Sequence, residues 1–131
     1  MKYLLDTIVW LWSVGPTDKI SRAGLEVLAN GEAEVYLSAA SAWEVAIKTR
    51  LGKFTLEEPP GTYVPKRLTA QGIRSLSITQ GHTLKVYDLA GHHRDPFDRI
   101  IIAQAMIEEM TILTADRQFA KYPVDVLWCG K

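Results

Sequence analysis

Short segments that favour strands alternate with segments typical of helices along the whole chain. The strand candidates are residues 2–5, 34–37, 73–78, 111–114 and 125–128. Helix candidates begin after Asp6, at Ser21, at Ser38 or Ser41, at Thr79, at Asp95 and near Gln118. One more helix, whose start the sequence does not define, ends at Gln71-Gly72. Residues 54–63, which contain Pro59-Pro60-Gly61, are predicted to be a connecting loop. This alternation favours one α/β domain, a sandwich of helices around a mostly parallel sheet.

The predicted helix that starts at Asp95 carries an acid in an unusual place. Asp95 suits the N-cap position, and Pro96 suits the first helical position because its missing N–H needs no partner there. Asp98 follows, on the helix face that also carries three apolar residues, Ile101, Ile102 and Ala105. An ionised carboxylate that points toward a core needs a partner, a metal or a shifted pKa. Asp95 itself is expected to be a cap and not a metal ligand.

Three further acids are expected near Asp98. Asp6 and Asp116 each come just after a predicted strand, and the carboxyl ends of parallel strands border the functional crevice of such sheets. Glu44 is predicted at the edge of an apolar helix stripe formed by Ala40, Ile47 and Leu51. Each acid also has a simpler interpretation, since Asp6 and Asp116 suit helix caps and Glu44 suits a surface ion pair with Lys48.

Four carboxylates at one site repel one another unless cations neutralise them. Oxygen ligands favour a hard divalent cation, Mg²⁺ or Mn²⁺. Zinc is less favoured because the sequence has one cysteine and no histidine pair at ligand spacing. His82, His92 and His93 are therefore expected at the surface or in helix caps, outside the site.

Composition is typical of a globular protein, with 47% hydrophobic and 23% charged residues. Fifteen basic and fifteen acidic residues cancel, so nucleic-acid binding would depend on a local basic patch. The single cysteine, Cys129, suits a reducing compartment. Asp6 interrupts the apolar run at the N-terminus, and residues 8–14 are too short to span a membrane. We therefore expect a cytoplasmic protein with no membrane association.

Four stretches in this order resemble a known family. They are Leu4-Leu5-Asp6-Thr7, Ser41 to Lys48 (SAWEVAIK), His93 to Arg99 (HRDPFDR) with Ile102 to Ala105 (IAQA), and Leu113 to Asp116 (LTAD). Together they resemble the PIN-domain ribonucleases, and more narrowly the VapC-type toxins of toxin–antitoxin pairs. The resemblance implies a three-layer sandwich with a five-stranded sheet, spanning residues 1–131 as one nuclease domain.

The same resemblance implies the function of the acids. Asp6, Glu44, Asp98 and Asp116 correspond to the family's acidic quartet, which binds Mg²⁺ or Mn²⁺ for hydrolysis of RNA phosphodiester bonds. The implied partners are the RNA substrate, a VapB-like antitoxin and a second copy of the chain in a homodimer. An apolar segment of the antitoxin is expected to cover a groove that includes residues 8–12 and 43–47.

The sequence leaves the roles of several supporting residues undecided. The phosphate could be held by any of three cations, Lys48, Arg99 or Arg117. The hydroxyls of Thr7 and Thr114 are candidates to orient the carboxylates. The tryptophans are expected in the core or at a dimer interface and not as a platform for bases; they are Trp10, Trp12, Trp43 and Trp128.

Three alternatives compete with the ribonuclease interpretation. A receiver-type phosphoacceptor domain also gathers acids at strand ends, but it would normally show adjacent acids after the first strand and a lysine at a strand end. A DNA-directed 5′-nuclease would need a helical arch, for which this chain is short. The third alternative is a catalytically silent interaction module, against which the four intact acids argue.

Overall fold

The computed structural model describes residues 1–131, which form five strands and six α-helices. The strands are β1 (Lys2–Leu5), β2 (Glu34–Ser38), β3 (Arg74–Leu76), β4 (Thr111–Thr114) and β5 (Val126–Trp128). The helices are α1 (Thr7–Ser13), α2 (Arg22–Ala29), α3 (Ala39–Arg50), α4 (Pro60–Gln71), α5 (Gln80–Lys85) and α6 (Pro96–Glu108). Short 3₁₀ helices cover Thr17–Lys19, Val86–Asp88 and Arg117–Lys121. None of the helices combines the length and the apolarity needed to cross a membrane.

The sheet has the strand order β3-β2-β1-β4-β5, and every neighbouring pair is parallel. The predicted α/β architecture with a parallel five-stranded sheet is therefore confirmed. The central strand β1 pairs with β2 on one side and with β4 on the other. Because all strands run the same way, their carboxyl ends lie along one edge, where the chain continues into Asp6 after β1 and Ala115-Asp116 after β4.

The sheet separates two hydrophobic clusters, which gives the molecule three layers. Consecutive strand residues point to opposite faces, so Leu5 and Leu113 belong to one cluster and Leu4 and Ile112 to the other. Helices α1 and α4 pack in the first cluster, whereas α6 packs in the second. All four of these strand side chains are fully buried, so the two central strands are fixed firmly beneath the acids that follow them.

Helix α6 begins as its sequence predicts. The carboxylate of Asp95 accepts hydrogen bonds from the backbone N–H groups of Phe97, at 2.8 Å, and Asp98, at 3.3 Å. Ile101 and Ile102 are fully buried, which confirms the apolar face on which Asp98 lies. The helix ends at Glu109, which adopts a left-handed conformation with φ of 55°.

The predicted loop over residues 54–63 is wrong in its last part, because α4 already begins at Pro60. The Pro-Pro-Gly sequence suggests a turn, but Pro60 occupies the first helical position, where a missing N–H costs nothing. The carbonyl of Pro59 accepts hydrogen bonds from the N–H groups of Thr62 and Tyr63 and closes the first turn. Gly72, with φ of 68°, ends this helix.

Candidate active site

The four acids predicted from the sequence line one cleft of about 480 Å³ at the carboxyl edge of the sheet. Asp6 caps α1 directly after β1, and Asp116 caps the 3₁₀ helix that follows β4. Glu44 comes from the middle of α3, and Asp98 from the first turn of α6. The fold thus brings together four carboxylates that are far apart in sequence.

Asp6 is buried and held in place by hydrogen bonds. Its Oδ2 accepts the hydroxyl hydrogen of Thr114 at 2.7 Å, and its Oδ1 accepts the N–H of Ile8 at 3.4 Å. Burial raises the pKa of Asp6 to about 6, although the Thr114 hydrogen bond works in the opposite direction. The charges of Glu44 and Asp116 add to the upward shift.

Asp98 is the most strongly perturbed acid in the cleft. Burial raises the pKa of Asp98 to about 8, and the negative charges of Asp6, Asp95, Glu44 and Asp116 contribute to the same shift. Only 16% of its side chain is exposed. In a cleft this crowded with acids, an ionised Asp98 needs a neutralising cation.

His93, which the sequence predicted to lie outside the site, bridges two of the acids. Its Nε2 lies 2.9 Å from Oδ2 of Asp116 and 3.1 Å from Oδ2 of Asp98. Its Nδ1 accepts the N–H of Asp95 at 3.3 Å, so Nε2 is the ring nitrogen left to donate to the carboxylates. His93 lies in the loop before α6, where no periodic pattern indicates its direction, and its ring packs edge-on against Phe119.

Glu44 lies in the cleft, although the apolar stripe that was used to predict its position does not face the core. The predicted apolar stripe is wrong, because Ile47 and Leu51 are exposed, whereas Glu44 and Val45 face the interior. Oε2 of Glu44 forms an ion pair with Lys48, as the simpler interpretation expected, but the carboxylate is buried and not on the surface. Its Oε1 is buried without any hydrogen-bond partner.

The comparisons with known proteins identify the fold. Residues 3–125 match the PIN domain family. The chain belongs to the PIN domain family.

A segment of 49 residues, 37% of this chain, is 51% identical to Ribonuclease VapC16 of Mycobacterium tuberculosis (strain ATCC 25618 / H37Rv). The matched segment covers 35% of that relative's length. Among solved structures, VapBC2 from Rickettsia felis, bound to a DNA fragment from its promoter, superposes with a TM-score of 0.74 at 18% identity, covering 98% of this chain and 99% of that chain. DNA-bound VapBC from Salmonella typhimurium gives a TM-score of 0.69 at 14% identity, covering 97% of each chain. At identities of 18% and 14%, these two structures support the fold of this chain.

Of the three cations proposed for phosphate binding, Lys48 lines the acidic cleft of this PIN domain. A hydrogen bond with Glu44 raises the pKa of Lys48. The guanidinium of Arg99 instead donates to the backbone carbonyls of Val86, Leu89, Ala90 and His93. The guanidinium of Arg117 lies 4.9 Å from the ring centre of Trp128.

The two threonines proposed to orient the acids behave differently. Thr114 accepts the N–H of Asp116 at 3.0 Å while it donates to Asp6, so one hydroxyl joins both acids. The hydroxyl of Thr7 donates to Oγ of Ser41 at 2.8 Å and joins α1 to α3. Thr114 is therefore the hydroxyl that orients carboxylates in this site.

The residues of the cleft fit a divalent cation. One ligand atom each from His93, Asp98 and Asp116 lies within 4.8 Å of the others. The unpartnered Oε1 of Glu44 and the raised pKa values of Asp6 and Asp98 show that positive charge is lacking here. A donor set made chiefly of carboxylate oxygens matches Mg²⁺ or Mn²⁺ better than a soft metal.

Proposed function

We propose that this PIN domain is a metal-dependent endoribonuclease that acts as the toxin of a toxin–antitoxin pair. The observation that carries the proposal is the convergence of Asp6, Glu44, Asp98 and Asp116 in one cleft at the carboxyl edge of the sheet. The local identity to a ribonuclease supports RNA as the substrate, and the likeness to VapBC structures supports the toxin role.

The four acids would hold Mg²⁺ or Mn²⁺. When bound, such a cation lowers the pKa of water and offsets negative charge on a phosphodiester during hydrolysis. The protein supplies the orientation, because Thr114 fixes the direction of the Asp6 carboxylate. Lys48, which lines the same cleft, is placed to neutralise an oxygen of the phosphate.

Cleavage of RNA by the purified, antitoxin-free protein is the direct test. We expect cleavage with Mg²⁺ or Mn²⁺, none with EDTA, and a loss of at least 100-fold in Asp6→Asn and Asp98→Asn. Asp18→Asn is the matched control, because Asp18 is an exposed carboxylate that does not line the cleft. Wild-type cleavage rates in either cleft variant would refute the assignment of the site.

The same variants distinguish the nuclease from the silent interaction module. Titration calorimetry with Mn²⁺ measures the metal site without any need for a substrate. Folded wild-type protein that binds no Mn²⁺ and cleaves no RNA would favour the silent module. Binding that is lost in Asp98→Asn, together with cleavage, would support the nuclease.

A VapB-like antitoxin is the proposed partner, and α3 offers a surface for it. Trp43, Ile47 and Leu51 lie four residues apart and form an exposed apolar stripe, with exposed fractions of 59%, 37% and 64%. Such a stripe suits an apolar segment of another protein. Co-expression with a VapB-like antitoxin tests this, since Ile47→Asp would weaken the complex and leave RNA cleavage intact.

The proposed homodimer has a separate candidate surface. Leu84 and Tyr87 are 68% and 93% exposed, on α5 and the 3₁₀ helix that follows it. An isolated monomer gains little by presenting such side chains to water. Light scattering should give a dimer mass for the wild type and a monomer mass for Tyr87→Asp.

A further inference from the structure

The cleft that holds the acids continues along α1 to an apolar part. Ile8 and Trp12 lie one helical turn apart on α1 and line this part of the cleft. Phe54, which follows α3, lines it as well. The site is thus continuous, with carboxylates in one part and aromatic rings in the other.

Both aromatic residues are half-buried and supported from behind. Trp12 and Phe54 pack against the hydrophobic cluster that contains Val9 and Val45, so their positions are fixed while part of each ring lines the cleft. Nζ of Lys48 lies 5.6 Å from the ring centre of Phe54 and also pairs with Glu44. A cation therefore lies between the acidic and the aromatic parts.

This arrangement matches the chemistry of a single nucleotide. Acids with a divalent cation bind a phosphate, and a lysine beside them adds a positive charge for the backbone. Aromatic rings bind the adjoining base by stacking, for which every base offers a face. A base inside a duplex is already stacked and paired, so the occupant must be unpaired.

We propose that Trp12 and Phe54 form a pocket for one unpaired nucleobase of the RNA, adjacent to the phosphate that is cleaved. The proposal rests on the nuclease function proposed above. It differs from the sequence-based expectation, which placed Trp12 in the core or at a dimer interface. The pocket selects single-stranded over paired RNA at this position. By holding the base, it determines the position of the adjacent scissile phosphate.

The test measures binding of a fluorescently labelled, unstructured eight-nucleotide RNA to the Asp98→Asn protein, in which cleavage is expected to be lost. Trp12→Ala and Phe54→Ala are each expected to weaken binding about 5- to 100-fold, the range for loss of one stacked base. A series of the same RNA with one abasic nucleotide at each position should contain one position that causes a similar loss. At that position the abasic and Trp12→Ala effects should not add, because both remove the same contact.

Two aromatic substitutions separate stacking from a loss of folding. Trp12→Phe keeps an aromatic ring, so it should retain most of the affinity but lose the quenching of tryptophan fluorescence that accompanies stacking. Trp43→Phe is the matched control, because Trp43 is exposed and does not line the cleft. In that control both the affinity and the quenching should remain.

The outcomes distinguish this proposal from the nuclease function. If the wild type cleaves RNA but no abasic position matters and Trp12→Ala leaves KM and affinity unchanged, the base pocket is refuted and the nuclease stands. That result would leave the aromatic part of the cleft to a side chain of a protein partner. If the wild type neither binds nor cleaves the RNA, both proposals fail.

Discussion

The hydroxyl of Thr114 donates a hydrogen bond to Oδ2 of Asp6 at 2.7 Å, although the two residues are 108 positions apart. They meet because β1 and β4 are adjacent parallel strands that end at the same edge of the sheet. The same hydroxyl accepts the N–H of Asp116 at 3.0 Å. One side chain therefore sets the spacing of two acids in the cleft, before any ligand binds.

Removing this hydroxyl should weaken the metal site while the fold is retained. Thr114→Val keeps the buried shape of the side chain but leaves Oδ2 of Asp6 without its hydroxyl donor. We expect Mn²⁺ affinity to fall about 10- to 100-fold, the usual cost of losing a group that orients a ligand. Titration calorimetry measures this, and Thr114→Ser, which keeps the hydroxyl, should bind almost as the wild type. Equal affinities in the valine and serine variants would contradict this role.

His93 should stabilise the folded protein without a metal, and more strongly when a metal is bound. Its Nε2 lies within hydrogen-bond distance of Asp98 and Asp116 and joins the two side chains. In EDTA, His93→Phe should lower the free energy of unfolding by about 1–3 kcal/mol, because the ring is kept beside Phe119 and the donor is lost. Saturating Mn²⁺ should enlarge this deficit, because the wild type offers the cation a ring nitrogen that the variant lacks.

Urea unfolding with and without Mn²⁺ measures the His93 effect. His92→Ala is the control, because His92 is exposed and does not contact the acids. A deficit that is the same in EDTA and in Mn²⁺ would assign His93 a packing role alone.

The parts of the site that sequence reasoning located are those fixed by regular structure. Asp6 and Asp116 follow from the ends of parallel strands, and Asp98 follows from its place on the apolar face of α6. In each of these cases a period or a strand direction determines where the side chain lies. The same logic gave the sheet and most helix starts, because the capping residues that begin α2, α3 and α6 are local signals.

The parts that it missed depend on packing between distant segments. His93 lies in a loop, and its direction is set by the contact with Phe119 and not by neighbouring residues. Glu44 was correctly expected in the cleft, but the apolar stripe at whose edge it was placed is wrong, because Ile47 and Leu51 are exposed. Arg99 was a phosphate candidate until the structure showed its guanidinium bound to backbone carbonyls.

The stability of the metal-free protein should fall as the pH rises. In the folded chain the pKa values of Asp6 and Asp98 are raised to about 6 and about 8, from the ordinary aspartate value of 3.8. Between pH 3.8 and its folded pKa, each acid keeps in the folded chain a proton that it has released in the unfolded chain. The free energy of unfolding therefore falls as the pH rises through this range, and this contribution is lost once the acid ionises in the folded chain. At about 1.4 kcal/mol per pKa unit, the loss from Asp98 amounts to several kcal/mol.

Urea unfolding in EDTA at pH 5 and pH 8 tests this dependence. Asp98→Asn keeps the size of the side chain and removes its titration. The difference between the free energies of unfolding at pH 5 and pH 8 should therefore be smaller in this variant. A variant that shows the same pH dependence as the wild type would contradict the raised pKa of Asp98.

Two helix ends should respond oppositely to substitution, since each helix terminates in the left-handed conformation. Glu109 at the end of α6 has φ of 55°, and Gly72 at the end of α4 has φ of 68°. Residues with a Cβ adopt this conformation at a cost of roughly 1 kcal/mol, and glycine does not. Glu109→Gly should therefore raise the free energy of unfolding by about 0.5–1 kcal/mol, and Gly72→Ala should lower it by about 1 kcal/mol.

Thermal unfolding of both variants measures these changes, which correspond to shifts on the order of 3 °C. A Cβ at Gly72 would meet no atom within 4 Å, so the loss there reflects backbone strain and not a clash. Both residues are exposed and do not line the acidic cleft, so RNA cleavage should remain unchanged. A stabilised Gly72→Ala or a destabilised Glu109→Gly would show that these ends do not carry the strain inferred from their φ angles.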